Sequence, residues 1–251
     1  MRARKEYMTY GVILAAGSGS RMKTKQKKQF ISINNKPILN YSLEKFFKIK
    51  CFDVIILVIN PSDKNSKIIK NIINKYCKES AKNKFYIITG GRERYDSVYN
   101  SLCFIEQVYG INKSDKILIH DSARPNVHID DIKELIKSLN KYKAITLGYK
   151  LSDSIKKIKN NKNAKVNEVI ESVNRDEYYL ISTPQGFNLD LLYKCYQKYY
   201  NYKNNKNVFK ITDDLQIIEY FSKNKTYILD SSKLNYKITI QDDLNLIKYL
   251  L

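Results

Sequence analysis

Small residues and two glycines, closed by an arginine, make up Leu14-Ala15-Ala16-Gly17-Ser18-Gly19-Ser20-Arg21-Met22. Such a run lets backbone N–H groups come close to an anion, as phosphate-binding loops do. It is no Walker loop, because no Gly-Lys-Ser/Thr follows, and Met22 fills the place of a third dinucleotide-binding glycine. Lys27-Lys28-Gln29 stands just beyond and sets further cations within reach of the loop's anion. A second segment, Gly90-Gly91-Arg92-Glu93-Arg94-Tyr95-Asp96-Ser97-Val98, offers paired glycines ahead of a helix start, where backbone donors and the helix dipole favour negative charge. A third, His120-Asp121-Ser122-Ala123-Arg124-Pro125, sets a carboxylate able to bind Mg2+ or a hydroxyl beside an arginine able to hold an anion. In a strand, His120 and Asp121 would point to opposite faces. A Ser-His-Asp triad is therefore not expected, and His120 reads as packed or hydrogen-bonded structure. Asn174-Arg175, Ser182-Thr183-Pro184-Gln185-Gly186-Phe187 and Asn235-Tyr236-Lys237-Ile238-Thr239 add polar groups that gain meaning only from context.

The elements that must position these segments follow from the apolar pattern. Tyr10–Ala15, Val54–Asn60, Phe85–Thr89, Lys116–His120 and Ala144–Leu147 are short apolar runs of buried-strand type. Helical patterns lie between them near 37–48, 62–78, 94–107 and 129–141. Pro37 suits a helix first turn, with Leu39, Leu43 and Phe46 on one face. The alternation predicts an α/β fold with a mostly parallel sheet covered by helices on both faces, and ligands at the strands' carboxyl ends. The stretch 150–178 departs from the pattern: Ser154–Ile158 and Val166–Val173 alternate around the polar tract Lys159–Lys165, which predicts a protruding hairpin-like arm. A helix over 188–202, a Lys/Asn-rich loop over 203–208, a helix started by Thr212-Asp213, a strand Thr226–Leu229 and a helix over 241–251 complete the expectation. We expect one domain over 1–251, with no internal repeat.

Length and charge set outer bounds. A chain of 251 residues with 43% apolar and 12% aromatic residues buries a real core and is not disordered. The net charge of +20 invites a nucleic-acid reading, but the basic residues are 38 Lys to 7 Arg, spread along helices and loops beside 25 Asn. That mixture resembles a coding bias rather than a binding patch, so no nucleic-acid partner is expected. Where Lys is so plentiful, an Arg marks a need for a planar forked donor, and five of the seven fall within two residues of a Gly, Asp or Pro. The four Cys form no C-x-x-C pair, and with two His they support neither a structural zinc site nor a disulfide framework. No apolar run approaches the ~20 residues of a membrane span, and the basic N-terminus runs into a glycine loop, unlike a signal peptide. We therefore expect a cytoplasmic protein without a membrane partner, with Met8 as a candidate second start.

Taken together and in order, these segments resemble the polyol-phosphate cytidylyltransferases, and most closely those acting on 2-C-methyl-D-erythritol 4-phosphate. The resemblance runs from Gly11 to Leu250 through A-A-G-x-G-x-R-M with K-Q-F, G-G-x-x-R-x-D-S-V, H-D-x-A-R-P, T-P-Q-x-F, T-D-D and N-x-K-I-T. It implies a Rossmann-like nucleotidyltransferase fold that dimerises through the arm, a divalent cation such as Mg2+, and transfer of CMP from CTP with release of pyrophosphate. It further implies that Ala15, Ala16, Gly17 and Gly19 cradle the CTP phosphates, gripped by Arg21 and Lys28. Gly91 and Ser97 would meet the cytosine and ribose, and Asp121 would stand near substrate and metal. Arg124, Ser154, Arg175 and Thr183 would serve the polyol phosphate, Arg175 and Thr183 across the dimer, while Lys237 would touch both substrates. Catalysis would rest on Arg21, Lys28 and Lys237, which neutralise two anions as they meet; an ionised acceptor phosphate needs no general base.

Three residues depart from that pattern. Lys27 replaces a usual Pro, which implies a looser loop. Arg92 stands where an acidic residue is common. Ser122 moves the third motif toward that of ribitol-5-phosphate cytidylyltransferases, the alternative reading. Two readings of other classes remain to be separated from these: a basic nucleic-acid-binding protein, and a nucleotide-binding module without turnover.

Overall fold

A computed structural model of the chain describes residues 6–17, 19, 22, 26–79, 84–159, 165–203 and 211–251. In chain order the strands are β1 (Thr9–Ala15), β2 (Ser32–Ile33), β3 (Lys36–Pro37), β4 (Val54–Ile59), β5 (Lys84–Thr89), β6 (Lys116–Asp121), β7 (Ala144–Lys150), β8 (Ile155–Ile158), β9 (Val169–Val173), β10 (Tyr179–Asn188) and β11 (Tyr227–Asp230). The helices are α1 (Ile38–Lys48), α2 (Lys67–Glu79), α3 (Arg94–Tyr109), α4 (Ile129–Ser138), α5 (Leu189–Lys203), α6 (Asp214–Phe221) and α7 (Gln241–Lys248). One sheet in the order β11-β7-β10-β6-β1-β4-β5 forms the frame. All its strands run one way except β10, which is antiparallel to both neighbours.

The apolar runs are continuous rather than alternating because both sheet faces are covered. Along β4, Val54, Ile56 and Val58 enter one core with α3, α5 and α6, while Ile55, Leu57 and Ile59 enter the other with α1, α2 and α4. A third, smaller core gathers Met22, Ile33, Ile38, Tyr41, Ile238, Leu244 and Ile247. It clamps the C-terminal segment onto the region after β1. Ile238, with no exposed surface, contributes roughly 1.5–3 kcal/mol to that clamp by burial alone.

The sheet is mostly parallel, as the sequence predicts. The strand β10 was not foreseen: Ser182–Phe187 was given no element from the sequence, whereas it lies within a ten-residue strand. Pro184 and Gly186 break the apolar pattern, and the pairing with β7 shifts register between Ile181 and Gln185, where the proline sits without a ladder donor. The segment 150–178 does leave the main sheet. Its β8 and β9 pair only with each other, and 160–164 lie outside the described residues.

Candidate functional site

The carboxyl ends of β1, β4, β5 and β6 share one edge, so the loops after them converge. Gly19 has φ +70°, a conformation that favours glycine, and a Cβ there would stand 3.4 Å from the Lys28 backbone N. A Cβ on Gly90 would come to 2.5 Å from Ala16 Cβ, so only glycine lets the first two loops touch. Gly91 N–H donates to Ser97 Oγ (3.2 Å), and Ser97 in turn donates to Glu93 O (3.3 Å). Ser97 is thus buried and occupied with fixing Gly91. Arg21 lies outside the described residues. Lys27 is tied down rather than loose: its Nζ donates to Asp63 Oδ1 (2.7 Å) and Ser62 Oγ (2.9 Å).

At the end of β6, a chain of alternating charges starts in the core and ends in the cleft. Buried Asp214, in the first turn of α6, accepts from Tyr196 OH (2.6 Å) and from Arg94 Nη1 (2.8 Å). Arg94 Nε donates to Asp121 Oδ1 (3.0 Å), and Lys237 Nζ donates to Asp121 Oδ2 (2.6 Å). Burial works against the Asp121 carboxylate, but Arg94 and Lys237 outweigh it and hold the group well below the usual carboxylate range. Arg94 opens α3, where the helix dipole disfavours a cation. The two carboxylates reverse that cost and raise its pKa further.

His120 is structural. Nε2 lies 3.2 Å from Arg124 O and Nδ1 3.0 Å from Thr183 Oγ1, which also accepts from Asp121 N–H (3.0 Å). A carbonyl cannot donate, so Nε2 carries the proton and the threonine hydroxyl donates to Nδ1. Burial, the dominant cause, pushes the ring down from 6.5 to about 3. The unfolded chain therefore binds a proton that the native ring refuses, and stability falls as pH drops below 6.5 at about 1.4 kcal/mol per pH unit. In urea unfolding at pH 7 and pH 5, the wild type is expected to lose roughly 2 kcal/mol more than His120→Gln. Equal losses would show that the ring titrates normally.

Arg94, Asp121, Arg124, Ile181, Ser182, Thr183, Gln185, Thr212, Asp213 and Lys237 line an open cleft. Lys28 Nζ reaches its neighbour Ile238 O (2.9 Å). Arg124 Nη1 donates to Asn235 O (2.8 Å), while its Nε is buried with no partner among the described residues. The fold thus assembles Asp121, Arg124, Thr183 and Lys237 from distant segments, with Lys28 beside them. Ser154 and Arg175 do not join: both are exposed on the arm, where Arg175 Nη1 donates to Ser152 O. Arg94, Gln185 and Asp214 were missed as site residues. All three carried a legible signal: Arg94 is one of few arginines and stands in G-G-x-x-R, Gln185 stands in T-P-Q and Asp214 in T-D-D.

Asp121 does not fit the expected role of resident metal ligand. Both its oxygens are engaged by cations, and among the described residues no group of three His, Cys, Asp or Glu side chains is arranged to hold an ion. No described helix is long and apolar enough to cross a membrane.

Comparison with known proteins agrees with this arrangement. The sequence pattern of the 2-C-methyl-D-erythritol 4-phosphate cytidylyltransferase family matches residues 9–251. A protein of that name from Clostridium botulinum (strain Eklund 17B, type B) is 40% identical over 243 residues, covering 97% of this chain and 99% of its own. The crystal structure of 4-diphosphocytidyl-2C-methyl-D-erythritol synthase from Anaerococcus prevotii superposes with a TM-score of 0.76 at 29% identity, over 96% of this chain and 97% of that one. The 2-C-methyl-D-erythritol 4-phosphate cytidylyltransferase of Francisella tularensis gives 0.75 at 29% identity, over 97% of this chain and 100% of that one. Fold, converging motifs and these likenesses agree: the chain belongs to the 2-C-methyl-D-erythritol 4-phosphate cytidylyltransferase family.

Proposed function

We propose that this chain transfers CMP from CTP to 2-C-methyl-D-erythritol 4-phosphate, giving CDP-methylerythritol and pyrophosphate for isoprenoid synthesis. The observation that carries the reading is the cationic cleft in which Lys237, Arg94 and Arg124 meet around Asp121, beside a glycine loop flanked by Lys28. The acceptor's phosphate oxygen attacks the α-phosphorus in line, and Lys28, Lys237 and Arg21 offset the charge that gathers there. Arg124, which lines the cleft, supplies a guanidinium for the acceptor phosphate. Asp121 orients Lys237 and is itself held by Arg94. A divalent cation, held by the CTP phosphates, would supply further charge neutralisation, while the Asp121 oxygens are engaged by Arg94 and Lys237. The chain acts as one domain in the cytoplasm, where CTP is available.

We read the arm as a dimer element. Val166, Val169, Ile170, Tyr178 and Leu180 are exposed apolar residues on or beside the ribbon, a surface that calls for a cover. A second copy would also deliver Arg175 to the neighbouring cleft, with Ser154 beside it on the arm, whereas Thr183, expected to act across the dimer, lines its own chain's cleft. Arg175→Ala is then expected to raise the acceptor KM about 10-fold or more, by loss of a charge-assisted hydrogen bond, with the CTP KM nearly unchanged. Steady-state kinetics with each substrate varied separately checks it, and equal damage to both constants would count against the role.

The deciding experiment is pyrophosphate release from CTP and Mg2+ with methylerythritol phosphate and ribitol 5-phosphate in parallel. Release with the first alone is expected. Release with ribitol 5-phosphate alone would move the chain to glycan precursors, and silence with both would overturn the acceptor assignment.

A further inference from the structure

Lys28 faces the cleft region, but its neighbour Gln29 lies beneath the glycine loop, with 2% of its surface exposed. Its Nε2 donates to Ala15 O (2.8 Å) and Gly17 O (3.1 Å). Both acceptors are main-chain carbonyls, and the two N–H groups of one amide nitrogen satisfy them together. Asn60 Nδ2 holds the carbonyl between them, Ala16 O (3.3 Å). In a trans peptide the C=O and the next N–H point in opposite directions. Drawing the carbonyls of Ala15 and Ala16 toward Gln29 and Asn60 therefore turns the N–H groups of Ala16 and Gly17 away from them. Gln29 does not line the cleft.

We propose that Gln29 is a positioning residue for the CTP triphosphate: by tethering the carbonyls of Ala15 and Gly17, it fixes the direction of the loop's N–H donors without touching the nucleotide. This rests on the reading of the glycine loop as the triphosphate site. A loop free to turn its carbonyls outward presents partial negative charge to an anion, so the tether matters for CTP and not for the acceptor.

Two variants separate this role from plain support of the fold. Gln29→Glu keeps the shape but replaces the donor with an oxygen, and Gln29→Met removes the donors without adding charge. Steady-state kinetics with each substrate varied separately, beside thermal unfolding, is expected to show the CTP KM raised about 10-fold in Gln29→Met and more in Gln29→Glu. The acceptor KM should stay near wild type, with the Tm of Gln29→Met lowered by a few degrees for the carbonyls left unpaired; the Met variant carries the test if the Glu variant fails to fold. A CTP KM within about twofold of wild type would overturn the inference, as would parallel rises in both KM values with a lower Tm. A wild type that does not use CTP would overturn the triphosphate reading itself, and the inference with it.

Discussion

Lys28→Ala is expected to lower kcat by about 10²–10³-fold while leaving the fold intact, on the scale of one lost transition-state donor. Lys28 Nζ rests 2.9 Å from Ile238 O, one residue from Lys237. A phosphate oxygen is a stronger partner for an ammonium than a neutral carbonyl, which favours the CTP phosphates as its partner in the complex. Its charge is needed most when the attacking and leaving phosphates crowd the α-phosphorus. The loss should therefore fall on kcat more than on the CTP KM. Lys28 is partly exposed and caps no helix, so the stability change should stay within about 0.5 kcal/mol. Single-turnover measurements with saturating CTP check the step directly. A rate within about threefold of wild type would remove Lys28 from the chemistry.

The second large effect is on stability. Arg94→Met should cost about 3–5 kcal/mol, because it leaves the buried Asp214 carboxylate without its counter-charge. Tyr196 would remain as its hydrogen-bond donor at 2.6 Å, but a hydroxyl does not neutralise a charge with no exposed surface. Burial already pushes Asp214 upward, so in the variant this carboxyl should take a proton well above the usual carboxylate range. Its native pKa would then exceed its unfolded one, and stability contributed by the protonated form is lost as pH rises. The penalty should accordingly be smaller at pH 5 than at pH 8, which urea unfolding at the two values measures. Activity should fall as well, since Asp121 would lose the partner of its Oδ1. A variant as stable as wild type at both pH values would mean that Asp214 is neutral in the native protein.

The sequence by itself determined the covered, mostly parallel sheet, because buried strands and amphipathic helices are written in local periodicity. It also marked the loops of the edge where the site forms, because glycines, Asp121 and scarce arginines stand out in a Lys-rich chain. Within the arm, alternation around a polar tract was enough to separate β8 and β9 from the main sheet. The strand β10 was hidden, since Pro184 and Gly186 erase the pattern that a strand otherwise shows, and its place between β6 and β7 comes from pairing alone. Only the tertiary structure decided which charge meets which. Lys237 reaches Asp121 across 116 positions, and Arg94 reaches Asp214 across 120. It also turned Ser97 inward to brace Gly91 and left Arg175 outside its own chain's cleft. Periodicity reports a residue's face on its own element, but the partner that face meets is set by how distant elements pack, and that distance carries no local signature.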